Sequence, residues 1–120
     1  MKIRDVFDYV IELMEPAFSE NILLRWLNQV EAEVQTEVLL IPISEITQYK
    51  KEDTTEASTT ELIVPQPYDK LYAEYLIWRI ELAQGEAERA NNQKEVYEKA
   101  YLSYVRYVCD KKADNCRERR

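Results

Sequence analysis

Apolar residues at Ile3, Val6, Phe7, Val10, Leu13 and Met14 recur every three or four positions and predict a short amphipathic helix. Pro16 closes it, because the residue before a proline is driven out of the helical region. Ser19 has an N-capping side chain, and Glu20 suits a first helical turn. Leu23, Trp26, Leu27, Val30, Val34 and Val38 then form one stripe, with Glu31, Glu33 and Glu37 off it. A second helix is therefore predicted to about Leu40, ahead of Pro42.

Beyond Pro42 the helical period fades. Ile43, Ile46 and Tyr49 fall three apart, which fits helix or strand. Residues 50–60 are polar and rich in threonine, and Glu61-Leu62-Ile63-Val64 is a β-prone run closed by Pro65. This pattern predicts a β-hairpin or extended arm over approximately 42–66, projecting from the domain, with a mobile tip near 53–58. The unsatisfied edges of such an arm could pair with an adjacent copy by strand addition.

Proline suits a first helical turn, so a third helix should begin near Pro67. Tyr68, Leu71, Tyr72, Tyr75, Leu76 and Ala83 share one face of it, while Ala73, Ile77, Ile80 and Ala87 share the next and Trp78 widens the apolar girth. A helix this apolar is central, or is covered on a second side by a partner. Asn91-Asn92 marks an expected break, with Asn92 and Glu95 in capping-box spacing. Tyr97, Ala100, Tyr101, Tyr104 and Val108 stripe a fourth helix. The expected fold is mostly α: a four-helix bundle-like domain over 1–110, with the arm inserted between helices 2 and 3 and a basic, flexible tail over 111–120. Its core should hold Trp26, Leu27, Val30, Leu71, Tyr75, Leu76, Tyr101 and Tyr104.

Charge and composition narrow the function. The net charge is −7, and histidine is absent. Most of the surface would repel a phosphate backbone. The last ten residues carry +3, however, which leaves about −10 for the preceding 110. Lys111, Lys112, Arg117, Arg119 and Arg120 thus form either a docking tail or a solvated end. Without histidine the usual hydrolase triads and the common zinc and di-iron sites are lost. A single glycine, Gly85, excludes the glycine-rich phosphate loops. Glu31 and Glu33, like Glu86 and Glu88, are two apart and do not face each other on a helix, so a catalytic acid pair is disfavoured against solvated faces. No catalytic residue, metal or cofactor is expected.

Cys109 and Cys116 would lie ~10 Å apart along a continuous helix, too far for a disulfide, and free thiols fit a reducing cytoplasm. The acids among the first residues do not suit a signal peptide, and no apolar run approaches a membrane span. Of the nine tyrosines, most fall on the stripes of the last two helices and should form their seam. Tyr9, Tyr49 and Tyr107 fit those stripes least. With Leu62 and Val64 of the arm they are the candidates for contact between subunits.

The order of these features resembles a known family. A short opening helix precedes Arg25-Trp26-Leu27-Asn28-Gln29-Val30-Glu31 and a polar insert. Glu61-Leu62-Ile63-Val64-Pro65-Gln66-Pro67-Tyr68 leads into Leu71-Tyr72-Ala73-Glu74-Tyr75-Leu76. Gly85-Glu86 and Asn91-Asn92 come before a tyrosine-rich last helix. Over nearly its whole length the chain resembles the small head-tail connector, or head completion, proteins of long-tailed phages and prophages of Gram-positive bacteria. The specificity lies in the order of the parts, since each alone is a helix stripe or a turn.

The resemblance implies a structural role in the virion at the head-tail junction, after assembly in the host cytoplasm. It implies a ring, dodecameric in the family, beneath the portal protein, with a docking surface for a stopper or tail protein. The free chain could still be monomeric. The five basic residues of the tail would be portal contacts, and neither sequence-specific nucleic-acid binding nor a membrane is implied. The alternative is a small helical cytoplasmic regulator or adaptor that binds a single protein partner.

Overall fold

The computed structural model describes residues 1–14 and 18–118, with side chains described as far as Ala113. It contains four α-helices: α1 Ile3–Leu13, α2 Glu20–Glu33, α3 Lys70–Ala83 and α4 Ala87–Glu118. The mostly helical fold is as expected. Ser19 caps α2 by accepting a hydrogen bond from the Ile22 amide at 3.4 Å, which satisfies one of the donors a helix leaves free at its start.

α3 is the central helix. Leu71, Tyr72, Ala73, Tyr75, Leu76 and Ile80 are all buried on it, and it packs against α1, α2 and α4. The expectation of a helix apolar around its girth is explained here by contacts within the chain. The α3–α4 seam is aromatic: the Tyr75 and Tyr97 rings meet edge-on at 5.1 Å, and Tyr97 stacks on Trp78 at 5.9 Å. Of the expected core, Trp26, Leu27, Val30, Leu71, Tyr75, Leu76 and Tyr104 are buried, whereas Tyr101 is half-buried.

Three boundaries differ from expectation. α3 starts at Lys70 and not near Pro67, because residues 66–69 are spent on a turn. The break before α4 falls at Gly85 and not at Asn91-Asn92, which lie inside the helix. Gly85 has φ 77°, a left-handed conformation that glycine adopts without the Cβ clash other residues suffer, and it ends α3 as a C-terminal glycine does. The Gln84 and Gly85 amides then donate back to the carbonyls of Ile80 and Leu82. Finally, α4 continues through the expected tail to Glu118, so Lys111 and Lys112 belong to a helix and not to a flexible end.

The largest correction concerns residues 42–66. No β-hairpin forms, and the segment does not project. Among the described residues the only β pairing is an isolated antiparallel bridge between Lys2 and Glu61, where the Leu62 amide also donates to the Met1 carbonyl at 2.9 Å. The segment instead lies along the helices as a strap, with 3-10 turns at Ile43–Glu45 and Lys51–Thr54. Tyr49, Thr54, Leu62 and Val64 are buried beneath it. Even the supposed tip is tied down: Asp53 accepts from the Lys50 amide at 2.8 Å and from the Thr60 hydroxyl at 3.1 Å. Arg4 of α1 reaches the Thr54 carbonyl at 3.4 Å.

Replacing Leu76, fully buried on α3, with alanine should lower unfolding stability by about 2–5 kcal/mol in urea titration. Gly85→Ala meets no atom within 4 Å of the added Cβ, yet it should cost about 1–2 kcal/mol from the left-handed backbone alone. A neutral Gly85→Ala would show that this turn does not hold its φ.

Candidate functional site

α2 carries a second stripe, and it is polar. Asn28, Glu31 and Gln35 are three and four residues apart, so they share one face of the helix. All three point into the strap. Asn28 accepts from the Tyr49 amide at 2.8 Å and donates to the Tyr49 carbonyl at 3.1 Å. Gln35 accepts from the Thr47 amide at 2.7 Å and donates to the Thr47 carbonyl at 2.9 Å. In an extended chain, the backbone groups of alternate residues point to the same edge. The two amide side chains therefore occupy the place of a neighbouring strand.

Glu31 lies between them and is 0% exposed. Its Oε1 accepts from the Tyr72 hydroxyl at 2.7 Å. Its Oε2 accepts from the Tyr49 hydroxyl at 2.7 Å and from the Ile63 amide at 3.2 Å. The Tyr72 hydroxyl in turn accepts from the Val64 amide at 2.9 Å. One carboxylate thus ties α2, both limbs of the strap and α3. Its contacts are hydroxyls and an amide, with no cation among them. Burial pushes the Glu31 carboxyl above its usual range, and the hydrogen bonds from Tyr49, Tyr72 and Ile63 offset part of that rise. Burial, followed by the charge of Glu31, likewise raises the Tyr49 and Tyr72 phenols. A carboxylate so enclosed acts as a structural cross-link, since no substrate could reach its lone pairs.

Just past this stripe α2 widens. Residues Val34–Val38 form a π turn, with the Leu39 amide donating to the Val34 carbonyl and the Ile41 amide to the Gln35 carbonyl. The Gln35 side chain also donates to the Glu31 carbonyl at 3.2 Å. The end of the turn places Leu40 at φ 57°, a strained conformation for a residue with a branched side chain. Leu40 is 69% exposed and Ile43 79% exposed. A groove runs between the strap and α4, floored by Leu39, Ile63, Pro65, Tyr107 and Val108, with Lys111 and Lys112 on its rim. Lys111 sits 5.8 Å from the centre of the Tyr107 ring, and Tyr107 stacks on Tyr68 at 4.8 Å.

Compared with known proteins, the chain matches no family model, no curated protein and no solved structure.

The residues singled out in the sequence separate into four groups. Lys111, Lys112 and Tyr107 come together at the groove. Tyr9 is exposed on α1, on a different element. Tyr49, Leu62 and Val64 are buried in the chain's own core, so they are not free to meet a neighbouring subunit; the strap's docking on α2 consumes them. Arg119 and Arg120, with the side chains of Cys116 and Arg117, lie outside the described residues, while Cys109 is an exposed free thiol. Among the described residues no cluster of three His, Cys, Asp or Glu could hold a metal, and no helix is long and apolar enough to cross a membrane. Glu31, Asn28, Gln35 and Tyr72 were the residues missed. The signal for Asn28, Glu31 and Gln35 was their three-and-four spacing along α2, which also describes a solvated face, and Tyr72 was legible only as part of the α3 stripe.

Glu31→Ala strands two phenols and a backbone amide and should destabilise the fold by about 3 kcal/mol or more, whereas Glu31→Gln keeps an acceptor and should cost about half as much. The pH dependence has a defined sign. A carboxyl raised above its unfolded value of 4.5 contributes its full stability below that value and loses it as pH rises through the folded pKa. The stability advantage of wild type over Glu31→Gln should therefore be greatest near pH 4 and shrink toward neutrality. An advantage that grows with pH in urea midpoints would contradict this assignment.

Proposed function

We propose that this chain acts by binding other protein chains and not by catalysis, as a head-tail connector of a long-tailed phage or prophage. In that role copies form a ring beneath the portal protein and offer a docking surface to a stopper or tail protein. The order of sequence features supports the reading. The structural observation in its favour is that exposed apolar side chains are spread over several elements: Tyr9 and Leu13 on α1, Ile22 on α2, Leu40 and Ile43 about the start of the strap, Leu82 on α3, and Val96 and Leu102 on α4. Isolated exposed apolar residues are ordinary on protein surfaces. Exposed apolar side chains on several elements suit a subunit that touches more than one neighbour better than a regulator that holds a single partner.

The basic residues divide between two roles. Lys111 and Lys112 border a groove on the chain's own body. Arg117, Arg119 and Arg120 are left as the portal contacts, where they can form charge-assisted pairs with carboxylates. Such pairs act mainly on the rate of encounter and weaken with salt.

Mixing the purified chain with its portal ring should add a layer of density beneath the portal in negative-stain images. Truncation after Ala113 should leave the circular dichroism melt unchanged and weaken portal binding at least tenfold at low salt. Truncated protein that binds the portal as well as the full chain would remove the tail from the contact. A 1:1 complex with one cytoplasmic protein, without portal binding, would favour the regulator.

A further inference from the structure

The exposed apolar pair on α1 and the apolar groove beside α4 sit among charges of opposite sign, and we infer that they fit each other: the outer face of α1 in one copy seats in the groove of the next. On α1, Tyr9 and Leu13 are 48% and 54% exposed and lie one helical turn apart. Asp5, Asp8 and Glu12 surround them, all three exposed. The adjoining face of α1 buries Ile3, Val6, Phe7 and Val10 in its own core, so α1 can bridge two copies without leaving its place.

The groove has the complementary character. Its floor is apolar, with Leu39, Ile63, Pro65 and Val108, and Lys111 and Lys112 stand on its rim. An adjoining hollow on the other side of Tyr107 adds Arg106, against Asp110. The local charge is therefore positive on a chain whose net charge is −7. A groove of this kind takes an acidic amphipathic helix with two apolar anchors four residues apart, and this chain carries one. The occupant is a second copy.

The two surfaces differ, so the contact is head-to-tail. Each added copy leaves one groove and one α1 face open, and such a contact either closes into a ring or runs on as a filament. The inference rests on the multi-copy reading above and names the surfaces that would carry it.

Charge exchange tests it with the full chain. One variant combines Lys111→Glu with Lys112→Glu; the other combines Asp8→Lys with Glu12→Lys. Asp8 pairs with Arg4 at 2.9 Å, but Arg4 keeps Glu20 at 2.7 Å, and melts of both variants check that they remain folded. Sedimentation at low salt, up to about 1 mM protein, should show concentration-dependent association of wild type that salt suppresses. Each variant alone should associate at least tenfold more weakly, because its two surfaces now repel. An equimolar mixture should recover association, since every contact in it is again between opposite charges. Wild type that stays monomeric throughout, variants that associate like wild type, or a mixture that stays monomeric would each overturn the contact. Portal binding is read separately: a chain that binds portal but never itself loses this contact and keeps the connector reading, and the converse result does the reverse.

Discussion

The fold depends on how an extended strap without a partner strand satisfies its backbone. Thr47 and Tyr49 have four main-chain polar groups facing α2, and the Asn28 and Gln35 amides meet all four. At about 0.5–1.5 kcal/mol net per hydrogen bond, the four together contribute roughly 2–6 kcal/mol. That is a substantial share of the roughly 5–15 kcal/mol by which a domain is ordinarily stable. Glu31 adds a second tie at the same place, because its carboxylate holds Tyr49 from one limb of the strap, Ile63 from the other and Tyr72 from α3. Enclosed networks of this kind are costly when partly satisfied and specifying when complete. Here they fix the register of the strap on the helix.

The consequence for function is one of availability. With the strap docked, Tyr49, Leu62 and Val64 serve the core of their own chain, and strand addition through a projecting hairpin is not open to them. Leu40 and Ile43, just past the end of α2, do remain outward. The π turn that carries Gln35 to Thr47 also delivers Leu40 to the surface and sets Leu39 in the groove lined by Lys111 and Lys112. The interior hydrogen bonding and the exposed apolar corner are thus two results of the same helix ending.

The helices were legible because their burial is periodic and local. The stripe of α2 named residues that all prove to be buried, those of α1 and α3 did so except toward their ends, where Leu13 and Ala83 are exposed, and Ser19 announced the start of α2. The strap was not legible, because its hydrogen-bond partners lie 12 to 21 residues away on a helix and leave no period in the strap itself. A β-prone run such as Leu62-Ile63-Val64 implies that its backbone will be satisfied, without saying by what. Glu31 was misread for a related reason: a carboxylate off the apolar stripe is usually solvated, and only the approach of Tyr49, Ile63 and Tyr72 turns it inward. The break before α4 was placed at Asn91-Asn92 by capping chemistry, whereas the left-handed φ of Gly85 decides it. Of the candidate contact residues, Tyr9 and Tyr107 remain on the surface or at its edge, and the three on the strap do not.

Amide hydrogen exchange along the strap tests most directly whether α2 side chains replace a partner strand. The amides of Thr47 and Tyr49 donate to Gln35 and Asn28, while the Gln48 amide between them points to the opposite edge. The account predicts alternation: Thr47 and Tyr49 exchange slowly, Gln48 exchanges fast, and Asn28→Ala releases Tyr49 while leaving Thr47 protected. Equal, rapid exchange at all three positions, or a Gln48 amide as protected as its neighbours, would contradict it.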